Sequence, residues 1–237
     1  MNLLWRYVAL LLMVQSAAAC SDQSTNRSPA SNRVESAGAA PTPAPQPRAD
    51  GKLVLAFGDS LYAGYGLAQS ESFPAVLQRN LEASGVRAEV VNAGVSGDTT
   101  AAGLARLDFT LDGLRRTPDL AIVGLGGNDL LRGIDPAETR SNLEAIVRAL
   151  DSRGIPVLLT GMMAPRNLGP DYVAKFDRIY PDLAKTYQAG LDPFFLDGVI
   201  TDPGLLQGDG IHPNAKGVEV MARRVAPLVA KELAPAR

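Results

Sequence analysis

The sequence contains only one cysteine and one histidine, Cys20 and His212, among its 237 residues. A single cysteine excludes a disulfide framework and a thiolate metal cluster, and a single histidine excludes metal sites that need two imidazole ligands. Charge is nearly balanced as well, with 23 Lys and Arg against 25 Asp and Glu. This balance argues against a nucleic-acid partner, because such proteins carry a basic surplus. Apolar residues make up 46% of the chain, so a folded core is expected.

The apolar run at residues 7–14 is too short to span a bilayer, which takes roughly 20 residues. It follows the positively charged Arg6 and leads into small residues that end at Ala19. A charged start, a short apolar middle and a small-residue exit are typical of an export signal. Residues 1–19 are therefore predicted to be a signal peptide.

The residues around Cys20 resemble a bacterial lipobox, in which the exported cysteine receives lipid and becomes the new N-terminus. Ala17 departs from the pattern, which usually has Leu at that position. The alternative is an ordinary secretory signal cut after Ala19 or nearby. In bacterial lipoproteins an Asp directly after the cysteine retains the protein at the inner membrane, and Ser21 stands there instead. We predict lipidation of Cys20 and an exported, periplasmic protein anchored to the outer membrane.

Residues 21–50 contain five prolines, and Val34 is their only apolar side chain larger than Ala. Such a segment buries too little surface to offset its ordering entropy, and its prolines favour extended chain. At about 3 Å per residue it would hold a domain up to ~90 Å from its anchor. We interpret residues 20–50 as the lipidated cysteine and a disordered tether, the alternative being a spacer without a role. Residues 51–237 are then the folded domain.

Apolar segments alternate with helical patterns through this domain. Strands are predicted at 53–57, 88–91, 120–123 and 156–160, with a weak fifth at 194–196. Helices are predicted at 72–84, 101–115, 136–153, within 172–187, and at 215–233. Strands that do not alternate in polarity and are separated by helices indicate a parallel sheet covered on both faces. The expected fold class is α/β, a three-layer α/β/α sandwich.

Glycines and small polar residues follow the predicted strands. Gly-Asp-Ser-Leu stands at 58–61, Gly-Val-Ser-Gly-Asp at 94–98 and Gly-Leu-Gly-Gly-Asn-Asp at 124–129. Asp-Gly-Ile-His-Pro lies near the end of the chain, at 209–213. Because ligands bind beyond the carboxyl ends of parallel strands, we expect these four segments to meet in one cleft.

The residue types in these segments suit acyl transfer. Ser60 is a weak nucleophile that needs a base, which is either His212 or a carboxylate. Asp209 stands three residues before His212, close enough to orient the ring and stabilise the imidazolium. The backbone N–H of Gly97 and the side-chain amide of Asn128 suit the oxyanion that develops in such a reaction.

Together the segments resemble the SGNH, or GDSL, hydrolases over essentially all of residues 52–230. Longer matches at 60–67, 96–100 and 209–213 resemble the bacterial thioesterase, lysophospholipase and arylesterase branch. The resemblance implies a flavodoxin-like sheet of five parallel strands and no metal or cofactor. It assigns catalysis to Ser60, Asp209 and His212 and the oxyanion hole to Ser60, Gly97 and Asn128. The implied reaction is hydrolysis of a small-molecule ester or thioester through an acyl-enzyme on Ser60, and no obligate protein partner is inferred.

The segment at 162–170 follows the fourth predicted strand, and its Met and Leu side chains are flexible enough to accept varied acyl tails. We predict that Met163, Pro165 and Leu168 flank the substrate pocket.

The sequence also allows other interpretations. Taken singly, Ser60, Asn128, Asp209 and His212 could be turn or capping residues. A non-catalytic envelope lipoprotein could use the same fold for binding, although binding alone would not require all of these residue types. Among enzymes, the alternative is a cell-wall carbohydrate O-deacetylase, an activity found elsewhere among SGNH enzymes. Neither a nucleotide-binding glycine motif nor the G-x-S-x-G of α/β-hydrolases is present.

Overall fold

The computed structural model describes residues 51–234, in which eight α-helices surround a five-stranded sheet. The strands are β1 (Lys52–Gly58), β2 (Ala88–Gly94), β3 (Leu120–Gly124), β4 (Val157–Thr160) and β5 (Gly190–Asp192). The helices are α1 (Ser60–Ala63), α2 (Phe73–Ala83), α3 (Thr100–Asp112), α4 (Gly127–Leu131), α5 (Pro136–Asp151), α6 (Pro170–Asp177), α7 (Ile179–Tyr187) and α8 (Ala215–Glu232). The predicted signal peptide, Cys20 and the proline-rich segment lie outside the described residues. None of the helices within 51–234 combines the length and the apolar character needed to cross a membrane.

All strand pairings in the sheet are parallel, and the strand order is β2-β1-β3-β4-β5. This is a doubly wound order, and it confirms the predicted three-layer α/β/α sandwich with a flavodoxin-like parallel sheet. The order changes direction at β1, so the crevice beyond the carboxyl ends of β1 and its neighbours is where such folds bind ligands.

Two hydrophobic cores lie on opposite faces of the sheet. Along β1, Val54 and Ala56 pack into the core beneath α2 and α8, whereas Leu55 and Phe57 pack into the core beneath α3, α5 and α7. Successive strand residues point to opposite faces, and here both faces are buried. This is why the strand has a continuous apolar sequence instead of an alternating one.

Three glycines allow α1 to pack directly over the carboxyl end of the sheet. Gly58 is paired in register with Gly94 of β2 and with Gly124 of β3, so the three strands end level. A Cβ atom at Gly58 or Gly124 would collide with the ring of Tyr62, and one at Gly94 would collide with the backbone of Ala63. The missing side chains therefore let the helix that begins at the first loop lie against the strand ends.

Two sequence predictions differ from the structure. The fifth strand is not at 194–196 but at Gly190–Asp192, so that prediction was wrong. Pro193 follows the strand and has no N–H for the ladder, and the chain then turns, with the Asp197 N–H donating to the Phe194 carbonyl. The helical pattern within 172–187 forms two helices, α6 and α7, which meet at Arg178.

Candidate active site

The side chains of Ser60, His212 and Asp209 form a continuous hydrogen-bonded chain. Ser60 Oγ lies 2.9 Å from His212 Nε2, and His212 Nδ1 lies 2.6 Å from Asp209 Oδ2. Ser60 is the first residue of α1, directly after β1, while the other two residues lie in the loop before α8. The fold thus joins residues that are 152 positions apart in the sequence.

Asp209 determines which nitrogen of the ring carries the proton. Its Oδ1 accepts hydrogen bonds from the backbone N–H groups of His212, at 3.0 Å, and Ile211, at 2.9 Å. These bonds, together with the contact to the ring, lower the pKa of Asp209 to about 2. The carboxylate is therefore ionised at neutral pH, and we assign the Nδ1 proton as the donor to it. Nε2 is then the acceptor for the hydroxyl proton of Ser60, which is the arrangement that general-base catalysis requires.

Besides Ser60, the predicted oxyanion residues are Gly97, which follows β2, and Asn128, which follows β3. Asn128, in α4, donates from Nδ2 to the Asp98 carbonyl at 3.0 Å and to Asp59 Oδ2 at 3.3 Å. Gly97, with φ of 86°, occupies the left-handed region that favours glycine, and its carbonyl accepts from Arg132 Nη2 at 2.8 Å. Within the described residues, the backbone N–H groups of Ser60 and Gly97 donate no hydrogen bond.

Arg106, which the sequence analysis did not identify, holds two of the active-site loops together. Its Nε donates to Asp98 Oδ2 at 2.6 Å, and its Nη2 donates to the Gly58 carbonyl at 3.0 Å. The guanidinium also lies 4.1 Å from the centre of the Phe57 ring. No local motif marks this residue, because its carbonyl partner is 48 positions away in the sequence.

Asp129, for which the sequence analysis proposed no role, fixes the start of α4 next to Asn128. Its carboxylate is fully buried and accepts from the Thr100 N–H at 2.8 Å, from the Thr100 hydroxyl, and from the Thr139 hydroxyl at 3.3 Å. Hydrogen bonds of this kind offset the free-energy cost of burying a carboxylate. Asp129 therefore links α4 to the starts of α3 and α5.

Gln207 links the segment after the nucleophile to the histidine loop, and it also has no sequence signal. Its Nε2 donates to the Tyr65 carbonyl at 2.7 Å and to the Pro213 carbonyl at 2.9 Å, while its backbone N–H donates to the His212 carbonyl at 2.8 Å. The Tyr65 N–H in turn donates to the Ser60 carbonyl at 3.2 Å, and the Tyr65 ring packs on His212 with 4.5 Å between centroids.

We expect Gln207→Glu to lower kcat roughly 10- to 100-fold, because small displacements of reacting groups have effects of this size. The substitution preserves the size of the side chain but removes the N–H donor, so the Ser60–His212 geometry should loosen while substrate binding is unchanged. Steady-state kinetics on a soluble p-nitrophenyl ester would measure it, with Gln69→Glu, at an exposed position, as the matched control. A raised KM with an unaltered kcat would instead mean that Gln207 contacts substrate.

Asp59 is a buried carboxyl between the nucleophile and Asn128. It is 3% exposed, and it caps α1 by accepting from the Leu61 N–H at 3.0 Å. Burial raises the pKa of Asp59 from 3.8 to about 6, although the bond from Leu61 acts in the opposite direction. Ionised Asp59 is thus disfavoured in the folded state relative to the unfolded chain.

This shift predicts a pH-dependent loss of stability. Between pH 4 and pH 6 the folded state retains a proton that the unfolded chain has lost, so Asp59 lowers the free energy of unfolding as pH rises through this range. Two pKa units correspond to about 3 kcal/mol. We expect the stability of Asp59→Asn relative to wild type to rise by about 2–3 kcal/mol between pH 4 and pH 7.5, measured by urea unfolding. The altered contact with Asn128 shifts both values equally, so a pH-independent difference would contradict the prediction.

An apolar cavity of about 240 Å³ opens beside the Ser60 hydroxyl. Met163 and Pro165, predicted as pocket residues, line it, but Leu168 does not. The chain enters a short 3₁₀ turn at Arg166–Leu168, which leaves the Leu168 side chain 40% exposed. The remaining apolar lining comes from α1, α4 and the segments that follow β4 and β5. These residues are Leu61, Leu130, Leu131, Met162, Phe194, Leu196, Ile200 and Ile211.

Among residues 51–234, no group of three or more His, Cys, Asp or Glu side chains is placed to hold a metal ion. The site offers the serine hydroxyl, the imidazole, the carboxylates and the amide donors described above. Nucleophile, base and orienting acid in hydrogen-bond contact are the arrangement of a covalent acyl-transfer site.

The chain is similar in sequence and in fold to known proteins. Residues 56–220 match the GDSL-like Lipase/Acylhydrolase family. Esterase TesA of Pseudomonas aeruginosa is 43% identical over 166 residues, which cover 70% of this chain and 82% of that protein. Thioesterase 1/protease 1/lysophospholipase L1 of Escherichia coli (strain K12) is 40% identical over 185 residues, covering 76% and 86%. The structure of AlinE4, an SGNH-hydrolase family esterase, is 54% identical with a TM-score of 0.67, covering 80% of this chain and 100% of its own.

Proposed function

Because the chain belongs to the GDSL-like lipase/acylhydrolase family and is a serine hydrolase acting on esters, we propose that Ser60 carries the acyl group between the two halves of its reaction. The observation that carries this proposal is the Ser60–His212–Asp209 hydrogen-bonded chain at the mouth of an apolar cavity. The resemblance expected from the sequence motifs is confirmed by the family match. The roles that we propose for individual residues are supported by their geometry.

In the first half-reaction, Ser60 Oγ attacks the ester carbonyl carbon as its proton moves to His212 Nε2. The carbonyl electron pair moves onto oxygen, and this oxyanion is stabilised by the N–H groups of Ser60 and Gly97 and by Asn128 Nδ2. The 3.3 Å bond from Asn128 to Asp59 is the weaker of its two, and we expect the oxyanion to replace it. Collapse of the intermediate breaks the ester bond, and the leaving group takes the proton from Nε2.

In the second half-reaction, water replaces the departed alcohol or thiol. The water oxygen attacks the acyl carbonyl carbon while His212 Nε2 removes a proton from the water. The same oxyanion donors stabilise the second tetrahedral intermediate. The bond to Ser60 Oγ then breaks, Ser60 regains its proton from Nε2, and the carboxylic acid is released. Asp209 stays ionised throughout, because its pKa of about 2 lies far below neutral pH.

The lining of the cavity favours the acyl chain of an ester as its occupant over the sugar of an acetylated carbohydrate. Its lining is mainly Leu, Ile, Met and Phe side chains, which bind apolar chains without leaving polar groups unpaired. A carbohydrate deacetylase would need polar partners for the sugar hydroxyls. We therefore propose acyl esters and thioesters of modest chain length as substrates.

A panel of p-nitrophenyl esters and acyl thioesters graded by acyl length tests this proposal. We expect kcat/KM to rise with each added methylene until the cavity is full, because each buried CH₂ contributes about 0.8 kcal/mol, and then to level off or fall. A phosphonate that reacts with serine should label the peptide that contains Ser60. Activity confined to acetylated sugars would refute the acyl-chain assignment.

We also propose that the protein is exported and anchored through lipid on Cys20, on the strength of the N-terminal pattern alone. Three acyl chains, as in a bacterial lipoprotein, would hold it firmly to a membrane, whereas a single chain binds marginally. The mass of the native N-terminal peptide decides the matter. A lipid-modified peptide that begins at Cys20 is expected, and an unmodified terminus in the soluble periplasmic fraction would refute the anchor.

A further inference from the structure

Large apolar side chains exposed on the surface are concentrated at one end of the molecule. Eight such residues are found in the described part of the chain, and seven of them lie on segments that follow strands or carry the histidine. Tyr65 follows β1, Val95 follows β2, Leu131 ends α4 after β3, Met163 and Leu168 follow β4, and Ile200 and Ile211 lie between β5 and α8. The eighth, Phe109, lies on α3 and is 84% exposed.

Because all five strands are parallel, the segments after them emerge from the same edge of the sheet, where Ser60 lies. Four of the seven residues, Leu131, Met163, Ile200 and Ile211, line the mouth of the acyl cavity. The other three, Tyr65, Val95 and Leu168, are exposed outside it. We refer to these seven residues as the apolar rim. Apolar surface gathered around one opening marks an interaction site more often than single scattered residues do.

We propose that the apolar rim docks on the surface of a lipid aggregate, so that acyl esters pass from that surface directly into the cavity. This rests on the proposed function, because it assumes that acyl esters are the substrates. A protein seated on the rim would cover the mouth of the cavity and exclude substrate. A lipid surface would instead present acyl chains to the cavity, whose apolar wall continues into the rim.

The position of Gly51, at the start of the folded domain, allows the rim to face the membrane that would hold the anchor. Gly51 precedes β1, and Ser60 follows its other end, so the preceding segment joins the domain at the edge of the sheet opposite the rim. A domain of this length is roughly 40 Å across. An extended segment of 30 residues reaches up to about 90 Å, which is long enough for a domain anchored at Cys20 to turn its rim toward the same membrane.

Sedimentation with phosphatidylcholine vesicles tests the proposal. Every protein spans residues 20–237 and carries Cys20→Ser, so that neither the predicted signal peptide nor a lipid anchor contributes to binding. Neutral vesicles are used to avoid repulsion between charged lipids and the protein. We expect the parent to bind and the double variant Val95→Ser/Leu168→Gln to bind about tenfold more weakly, because two apolar side chains no longer enter the lipid. The control is Phe109→Gln, at an apolar residue that lies away from the rim and is more exposed than Val95 or Leu168, and it should bind like the parent.

Hydrolysis of soluble p-nitrophenyl butyrate separates this proposal from the proposed function. Because Val95 and Leu168 lie outside the cavity, the double variant should keep kcat/KM within about twofold of the parent. Equal vesicle binding by the double variant and the parent, an equal loss in Phe109→Gln, or no binding by the parent would each overturn rim docking. A parent that binds vesicles but does not hydrolyse the ester would overturn the proposed function and leave the docking result standing.

Discussion

Ser60→Ala should lower kcat by roughly 10⁴- to 10⁶-fold, the range seen when a serine nucleophile is removed from a hydrogen-bonded triad. The variant has no atom that can form the acyl-enzyme, and the residual rate would come from substrate binding and the oxyanion donors alone. Stability should change little, since the side-chain hydrogen bond found for the Ser60 hydroxyl is the one to His212. Stopped assays on a short p-nitrophenyl ester, at high enzyme concentration, would measure the remaining activity.

Ser152→Ala provides the matched control. Ser152 is exposed and its hydroxyl donates to the Ala149 carbonyl at 3.0 Å, at the end of α5 opposite the active site. It should retain full activity. Phosphonate treatment should add one label to the wild-type protein and none to Ser60→Ala. A label on any other peptide, or activity above about 1% of wild type in the alanine variant, would show that Ser60 is not the nucleophile.

His212→Ala should produce a loss nearly as large as Ser60→Ala, because residues that act as a unit in catalysis have non-additive effects. Asp209→Asn should cost less, since its remaining carbonyl oxygen can still accept from the backbone N–H groups that shape the loop. The double variant Ser60→Ala/His212→Ala should be no slower than either single variant. Steady-state kinetics on the same soluble ester would give all three comparisons.

The chain holds a single histidine, which makes chemical modification unambiguous. Activity should fall in proportion to the fraction of His212 rings that are carbethoxylated. Hydroxylamine should remove the modification and restore the activity to the same extent. If His212→Ala retained substantial activity, the base would be a carboxylate, and buried Asp59, next to Ser60, would be the residue to substitute next. That outcome would revive the alternative left open by the sequence.

The central strands and the order of the active-site loops were predictable because their signals are local. β1 and β3 are apolar on both faces, so their sequences stand out even without alternation. The strand at Gly190–Asp192 has no such run, since it is three residues long at the edge of the sheet. The neighbouring Phe-Phe-Leu attracted the strand prediction, but Phe194 and Leu196 line the cavity instead.

Some residues of the site also have local sequence signals, whereas others have none. Ser60, Asn128 and His212 stand in short motifs whose residue types already suggest chemistry, and the structure brings them to one cleft. Arg106 and Gln207 could not be found in this way, because what they do depends on carbonyl groups 48 and 142 positions away. A backbone carbonyl has no sequence signature. Residues that hold loops by donating to it therefore become visible only when the chain is folded.

The separation of Ser60 and His212 by 152 positions also has a consequence for the synthesis of the protein. The ribosome adds Ser60 152 residues before His212. On the proposed mechanism, a nascent chain that stops before His212 has a serine without its proton acceptor, and we expect such a chain to be inert toward cellular esters. We expect hydrolysis to begin only after the histidine loop and α8 have joined the sheet.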